Sequence, residues 1–250
     1  MPVTIIPLVR PVLVSFDDSS THLPSAVQEK INTYWNQLIA QGRQYTRGEV
    51  FTIVSQEENQ QEIRFVVQKT DYAHYLYSKN VGGLGEYSIR VIHAAAYVVC
   101  STGEIIVGRM GEHTGRAGMI QLCGGGLDYG DLKEGTLDLE HSLVKELGEE
   151  IGVDCSDSAR VHSLVPTFLK TEGSSGTTVV MYRVDIADSA PRFAERYKFF
   201  GENLKAQGIT PEFSEIFAIK PDHASIETFI AKYGQLCDEN LAPLLRLLAK

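Results

Sequence analysis

The sequence lacks an apolar run long enough to cross a bilayer, and it has too few cations to balance its anions. Its 250 residues include 23 Lys and Arg against 32 Asp and Glu, a formal net charge of −9 at pH 7. A spanning helix needs about 20 consecutive apolar residues, so we expect no membrane partner. Binding of nucleic acid through its phosphates needs a basic surface, so we expect no nucleic-acid partner either.

Cysteine is scarce, and no cysteine pair has metal-binding spacing. Cys100, Cys123, Cys155 and Cys237 form no CxxC motif, and no histidine cluster completes a zinc pattern. The apolar N-terminus contains Arg10 and three prolines, and it shows neither a basic leader nor a small-residue cleavage site. We therefore expect a cytoplasmic protein with reduced thiols. Two disulfides in an exported protein are the alternative.

The first part of the chain has the pattern of a small α/β unit. The predicted elements are a strand over residues 3–16, a helix over 25–42, and strands over 49–55 and 63–69. A glycine-rich run at residues 82–85 lacks the Lys-Ser/Thr ending of a phosphate-binding loop, so we interpret it as a linker. The sequence therefore predicts an N-terminal α/β extension over residues 1–87.

Strands dominate the second part, residues 88–250, before and after one central helix. The predicted strands cover residues 89–100, 104–109, 161–170, 177–185 and 213–219, and the helices cover 139–151, 191–206, 226–233 and 241–248. This order of elements predicts an α+β or α/β fold with a mixed sheet.

The central predicted helix, residues 139–151, carries acidic side chains that break two local rules. Glu146 and Glu150 are like charges four residues apart, a spacing that costs about 0.2–0.5 kcal/mol. Together with Glu149 they occupy the last two turns, where the helix dipole favours cations. Such breaks are expected at functional sites. Bound Mg²⁺ or Mn²⁺, which prefer oxygen ligands, would turn the repulsion into attraction; a solvated acidic face is the alternative.

The segment 125–153 resembles the Nudix box, the signature of the Nudix hydrolase family. Its second half matches as Lys145-Glu146-Leu147-Gly148-Glu149-Glu150-Ile151-Gly152-Val153, with Lys145 in place of the family's arginine. In the first half, Asp131 rather than glutamate follows Gly125 after five residues, and thirteen residues rather than seven then precede Lys145. We interpret this difference as a six-residue insertion before the helix. The resemblance covers about residues 89–220.

This resemblance implies a fold, a reaction and a set of site residues. The implied Nudix fold is an α/β/α sandwich with a mixed sheet over residues 88–250, with C-terminal helices. Nudix hydrolases use Mg²⁺ or Mn²⁺ to cleave a nucleoside diphosphate linked to another moiety. The implied metal ligands are Glu146, Glu149, Glu150 and the backbone carbonyl around Gly125, with Glu146 alternatively the base for the attacking water. Lys145 takes the place of the arginine that orients the glutamates, and it lacks the planar fork of arginine.

Residues outside the box supply further candidates. A further acid often joins the metal site from beyond the box in this family, and Glu212 and Glu215 lie in a suitable position before the last predicted strand. The loop after residue 109 should approach the site, and its cationic side chains are candidates for phosphate contact. These candidates are Arg109, His113 and Arg116. A solvated loop is the alternative.

Two classes of function follow from these observations. The first is a pyrophosphohydrolase that acts on a small molecule of the nucleotide-sugar or dinucleotide type, with the N-terminal extension shaping the substrate pocket or a homodimer interface. The second is a catalytically weak or silent ligand-sensing or regulatory module, which the irregular first half of the box favours. A sensor does not need three mutually repelling acids, so the glutamates favour the enzyme.

Overall fold

The computed structural model of the protein describes residues 2–249, which form two β-sheets with helices around them. The strands are β1 (Val3–Pro7), β2 (Val12–Ser20), β3 (Glu49–Glu58), β4 (Ile63–Asp71), β5 (Ile92–Val99), β6 (Ile105–Met110), β7 (Ile120–Gln121), β8 (Leu132–Lys133), β9 (Thr136–Leu137), β10 (Val161–Glu172), β11 (Thr178–Ile186) and β12 (Phe213–Ile219). The α-helices are α1 (Ser25–Ala40), α2 (Tyr72–Asn80), α3 (Leu139–Ile151), α4 (Ala190–Ala206), α5 (His223–Tyr233) and α6 (Leu241–Leu248).

The larger sheet has the strand order β1-β10-β11-β5-β6-β12, with β7 paired to β6. Strands β11 and β5 run parallel and the other pairs run antiparallel, so the sheet is mixed. Side chains of β5 alternate between two hydrophobic cores, with Ala94 and Ala96 in one and Ala95 and Tyr97 in the other. Helices α3 and α4 contribute to the first core, and α5 and α6 to the second. The predicted α+β sandwich with a mixed sheet is confirmed.

The smaller sheet has the strand order β3-β4-β2-β9-β8, and it interleaves the two predicted units. Strands β8 and β9 belong to the insertion before α3, and Thr136 of β9 pairs with Ser15 of β2. In the opposite direction, β1 joins the larger sheet, where Val3 pairs with Glu172. Strand pairing therefore crosses residue 87 in both directions, and the division there stays a prediction about chain organisation.

Most predicted elements lie where the pattern indicates them, and the N-terminus is the main correction. Helices α3 and α6 and strand β12 have the predicted bounds. The single strand predicted over residues 3–16 is wrong, because that segment divides into β1 and β2 of different sheets. Pro7 ends β1 and Pro11 precedes β2, and proline cannot donate a hydrogen bond to a continuing ladder.

Neither a disulfide nor a membrane-crossing helix is found within residues 2–249. The four cysteines are free thiols. Burial raises the pKa of Cys100 to about 12, so this thiol stays protonated at neutral pH. No helix in this part of the chain has both the length and the apolar character needed to cross a membrane.

Candidate active site

Helix α3 presents an apolar face to the core and an acidic face to the loop before it. Leu143 and Leu147 are fully buried among the strands of both sheets. The helix begins after Asp138, whose Oδ1 accepts the N–H of His141 at 2.9 Å. It ends at Gly152, whose φ of 65° lies in the left-handed region that glycine adopts at little cost. The buried leucines therefore fix the rotation of the helix, and with it the direction of the acidic face.

Gly124 and Gly125 lie directly against two carboxylates of this acidic face. The N–H of Gly124 donates to Oε2 of Glu150 at 2.9 Å. A Cβ atom at position 125 would lie 2.0 Å from Oε1 of Glu146, so any larger residue there would displace the carboxylate. The structure thus brings together three of the predicted site residues, Gly125, Glu146 and Glu150.

The two inward carboxylates lie in a setting that disfavours their charged forms. Burial is the main cause that raises the pKa of Glu146 to about 7, followed by the charges of Glu149 and Glu212. Burial likewise raises the pKa of Glu150 to about 8, and the Cys123 thiol and the N–H of Gly124 offset this only in part. The adjacent cation, Lys145, pairs with Asp128 instead. The helix therefore supplies no cation paired with these two acids, and at neutral pH burial keeps them partly protonated.

Glu212, one residue before β12, is a third acid near Glu146 and Glu150, and its side chain is half-buried. Burial raises its pKa, His113 opposes that shift, and the charge of Glu149 adds to it. The backbone carbonyl of Glu212 accepts the N–H of Gly111 at 2.7 Å, which holds the two loops together. The imidazole of His113 also lies against Gly111, where a Cβ atom would meet its Nδ1 at 2.8 Å. Two more predicted residues, His113 and Glu212, are thus neighbours of the acidic face.

The remaining predicted residues outside the box are engaged elsewhere. Nε of Arg109 lies 3.1 Å from Oε2 of Glu215, whose side chain is 51% exposed. The Arg109 guanidinium also lies over the rings of Phe217 and Tyr233. Arg116 donates to Oδ2 of Asp238. Phosphate contact by the two arginines therefore stays a prediction, and the structure does not bring Glu215 to the acidic group.

Lys145 contacts two loop aspartates rather than the glutamates that it is predicted to orient. Its Nζ donates to Oδ2 of Asp128 at 2.6 Å and lies 3.6 Å from Oδ1 of Asp131. Asp131 is fully buried, and among the described residues its Oδ1 has no hydrogen-bond partner. The motif comparison missed Asp128. The signal that could have found it is the Asp-x-x-Asp spacing of 128 and 131, which is typical of a capped turn.

The acidic side chains of α3 and Glu212 do not form a closed set of metal ligands in this structure. Within residues 2–249, no three His, Cys, Asp or Glu side chains converge closely enough to hold a metal ion as they stand. The available donors are nevertheless all oxygens, from Glu146, Glu149, Glu150 and the Gly125 carbonyl, and this set suits Mg²⁺ or Mn²⁺. Unneutralised burial of two carboxylates also favours a cation, so the residues fit such an ion chemically.

Comparison with known proteins gives matches among solved structures alone. No family profile and no curated protein matches the chain. DR0079 of Deinococcus radiodurans is 17% identical, with a TM-score of 0.42, over 64% of this chain and 84% of that one. The MutT protein of Methanosarcina mazei Go1 is 15% identical, with a TM-score of 0.36, over 64% and 92%.

A third similar structure carries the family name that the motif at residues 125–153 predicts. It is the NUDIX domain of Shewanella oneidensis NrtR, complexed with ADP ribose, which is 12% identical, with a TM-score of 0.37, over 68% of this chain and 92% of that one. Since all three TM-scores are below 0.5, the function of this chain has to be inferred from its own side chains.

Proposed function

We propose that this chain is a Nudix pyrophosphohydrolase that uses Mg²⁺ or Mn²⁺ to cleave a nucleoside diphosphate linked to another moiety. The observation that carries the proposal is that Glu146 and Glu150 pack against Gly124 and Gly125 without a paired cation. Buried charges are costly unless they are paired or bind a metal, so a fold that retains them is expected to use them. The proposed substrate is a small molecule of the nucleotide-sugar or dinucleotide type.

The residues that would hold the metal are Glu146, Glu149, Glu150 and the carbonyl of Gly125, with Glu212 as the further acid. When bound, the ion supplies positive charge to the phosphate oxygens and makes water more acidic. That charge is needed because a protein with a net charge of −9 repels an anionic pyrophosphate.

Glu146 is the better placed of the two inward acids to accept a proton from the attacking water. Glu146 is half-buried whereas Glu150 is buried, so Glu146 is the acid that a water molecule can reach. Glu150 is 3% exposed and accepts the N–H of Gly124, so we assign it to holding the loop as well as the ion. The rest of the catalysis is positioning and electrostatic stabilisation, as is usual for reactions at phosphorus.

Turnover of the purified protein with Mg²⁺ or Mn²⁺ tests the proposal. The panel comprises UDP-glucose, ADP-ribose, NADH, diadenosine polyphosphates, CoA and nucleoside triphosphates, with a phosphatase added to release phosphate from the monophosphate products. We expect strong metal-dependent turnover of one substrate. Glu146→Gln should remove most of that turnover, whereas the control Glu202→Gln, at an exposed position on α4, should not.

Calorimetric titration with Mn²⁺ separates the ways in which the test can fail. Silence across the panel without Mn²⁺ binding contradicts the proposal and favours the ligand-sensing or regulatory module. If the wild type binds Mn²⁺, Glu150→Gln removes that binding and no substrate is turned over, then the proposed metal site stands and only the choice of substrates was wrong. A cytoplasmic location and a homodimer stay predictions.

A further inference from the structure

Tyr129 lies in the loop before α3, just ahead of the insertion, and contacts the smaller sheet. Its ring makes edge contacts with Phe16 of β2 and Phe51 of β3, at centroid distances of 5.8 and 5.3 Å. The two phenylalanines contact each other at 5.4 Å, and Nζ of Lys69 lies 5.5 Å from the centroid of the tyrosine ring. Edge-to-face aromatic pairs contribute about 0.5–1.5 kcal/mol each beyond their burial. The tyrosine ring is therefore anchored on the N-terminal strands.

Backbone pairing attaches the same loop to the sheet a few residues later. The hairpin of β8 and β9 follows Tyr129, and Thr136 pairs with Ser15. The N–H of Phe16 also donates to the carbonyl of Gly135 at 2.9 Å. The insertion is thus an ordered connection between the smaller sheet and α3.

The 3-10 turn Tyr129–Asp131 is held by reciprocal hydrogen bonds of its aspartates. Oδ1 of Asp128 accepts the N–H of Gly130 at 2.6 Å, and Oδ2 of Asp131 accepts the N–H of Asp128 at 2.9 Å. This arrangement is a capping box, which makes the turn one rigid unit. Its two aspartates are the groups that face Lys145, so the position of the turn sets the position of the Lys145 ammonium.

We propose that Tyr129 is a positioning residue through which the smaller sheet holds Lys145, and with it the neighbouring Glu146, in the working arrangement. The inference rests on the proposed pyrophosphohydrolase activity. Within that activity, the loop before α3 and the N-terminal strands would position Lys145. The ring contacts of Tyr129 lie on the smaller sheet rather than on the glutamates, so its influence passes through the turn and Lys145.

A double-mutant cycle between Tyr129 and Lys145 tests this role. Tyr129→Ala should lower kcat about 10-fold with little change in KM, as loss of an outer partner of a metal site typically does. Tyr129→Phe keeps the ring and should keep kcat. In a Lys145→Met background, Tyr129→Ala should cost less than about 2-fold, because the connection is already broken. Phe16→Leu removes the contact from the sheet side, and it serves if Tyr129→Ala does not fold.

Tyr45→Ala is the matched control for loss of an aromatic side chain in the same region. The Tyr45 ring contacts Trp35 and Tyr72, at centroid distances of 6.5 and 5.9 Å, and both belong to the N-terminal helices. This variant should keep kcat. An equal loss of kcat from Tyr129→Ala in both Lys145 backgrounds would overturn the inference, as would full activity of both Tyr129→Ala and Phe16→Leu.

Hydrogen–deuterium exchange gives a readout that does not depend on activity. Tyr129→Ala should raise exchange in residues 126–138 and leave β3 and β4 protected, and Tyr129→Phe should restore the protection. Unchanged exchange of the loop in Tyr129→Ala would overturn the inference. If the wild type neither binds Mn²⁺ nor turns over any substrate while exchange rises as expected, the proposed function fails and the attachment through Tyr129 stands.

Discussion

A half-buried glutamate, Glu239, and a buried one, Glu150, have opposite charge environments in this chain. Nζ of Lys170 donates to Glu239 at 2.7 Å, and both the hydroxyl and the N–H groups of Ser174 and Ser175 donate to the same carboxylate. Burial acts to raise the pKa of Glu239, but these hydrogen bonds outweigh it and lower the pKa to about 2. Glu239 thus joins the hairpin between β10 and β11 to the segment before α6.

Glu150 shows the reverse balance. Burial outweighs the hydrogen bonds from the Cys123 thiol and the Gly124 N–H, and the nearby charges of Glu212 and Glu146 add to the rise of the Glu150 pKa to about 8. The same residue type is therefore fully paired in one place and lacks positive charge in the other. Burial alone therefore does not identify a functional acid, whereas burial without a cationic partner does indicate one.

Removal of the cation from the paired cluster should have the largest effect. Lys170 is completely buried, so Lys170→Met leaves Glu239 without its cationic partner. The cost should be about 3 kcal/mol, the low end for a broken buried pair, because the Glu239 side chain is 20% exposed and keeps its serine hydrogen bonds. Urea unfolding measures the loss. Arg192→Met is the control, because Arg192 and Glu195 form an exposed pair worth at most about 1 kcal/mol. Equal losses in the two variants would contradict the structural role of Lys170.

Neutralisation of the unpaired acid should have the next largest effect, and on activity rather than folding. Glu150→Gln should lower kcat on the identified substrate by about 100-fold, a loss typical of one removed electrostatic group at a reacting centre. Stability at pH 8.5 without metal should rise, because a buried unpaired charge is removed. Steady-state kinetics and urea unfolding measure the two effects. Wild-type kcat with Mn²⁺ binding intact would sink the assignment of Glu150.

The pH dependence of stability should separate the two glutamates by sign. The native pKa of Glu150 is raised, so its contribution to stability is present below pH 4.5 and is lost as pH rises through about 8. The native pKa of Glu239 is lowered, so its contribution is present above pH 4.5 and is lost as pH falls toward 2.

Melting temperatures measured in EDTA between pH 2.5 and 9 check this difference. Glu150→Gln should reduce the fall in melting temperature between pH 4.5 and about 8. Glu239→Gln should reduce the fall between pH 4.5 and 2.5. A tenfold difference in proton affinity between the folded and unfolded chain corresponds to about 1.4 kcal/mol, so both effects are within the range of the measurement. Parallel curves for wild type and both variants would show that neither carboxyl is perturbed.

The smallest effect is expected for the exposed acid of β12. Glu215→Gln removes a surface pair with Arg109, which is worth about 0.2–1 kcal/mol, and should leave turnover at the wild-type level. Glu212→Gln, at the half-buried position beside His113, should lower turnover about 10-fold. The reverse ranking of the two variants would show that Glu215 is the functional acid.

Local sequence patterns are sufficient to predict α3, the helix that carries the proposed chemistry. The spacing of the leucines in Leu139–Ile151 and the glycine at 152 set both the bounds of α3 and the side on which its glutamates lie. These are local properties, since helical periodicity and a left-handed cap depend on residues within a few positions of each other. The bounds of β12 and α6 were also predictable for this reason.

Which distant residues contact this helix depends on the tertiary structure. Local patterns do not encode that Thr136 pairs with Ser15, or that β1 joins the larger sheet, because strand pairing depends on contacts far apart in the chain. For the same reason, the motif could not show that Lys145 binds Asp128. Nor could it show that Glu212 rather than Glu215 lies beside the acids, since that choice depends on how the loop before β12 packs against Gly111.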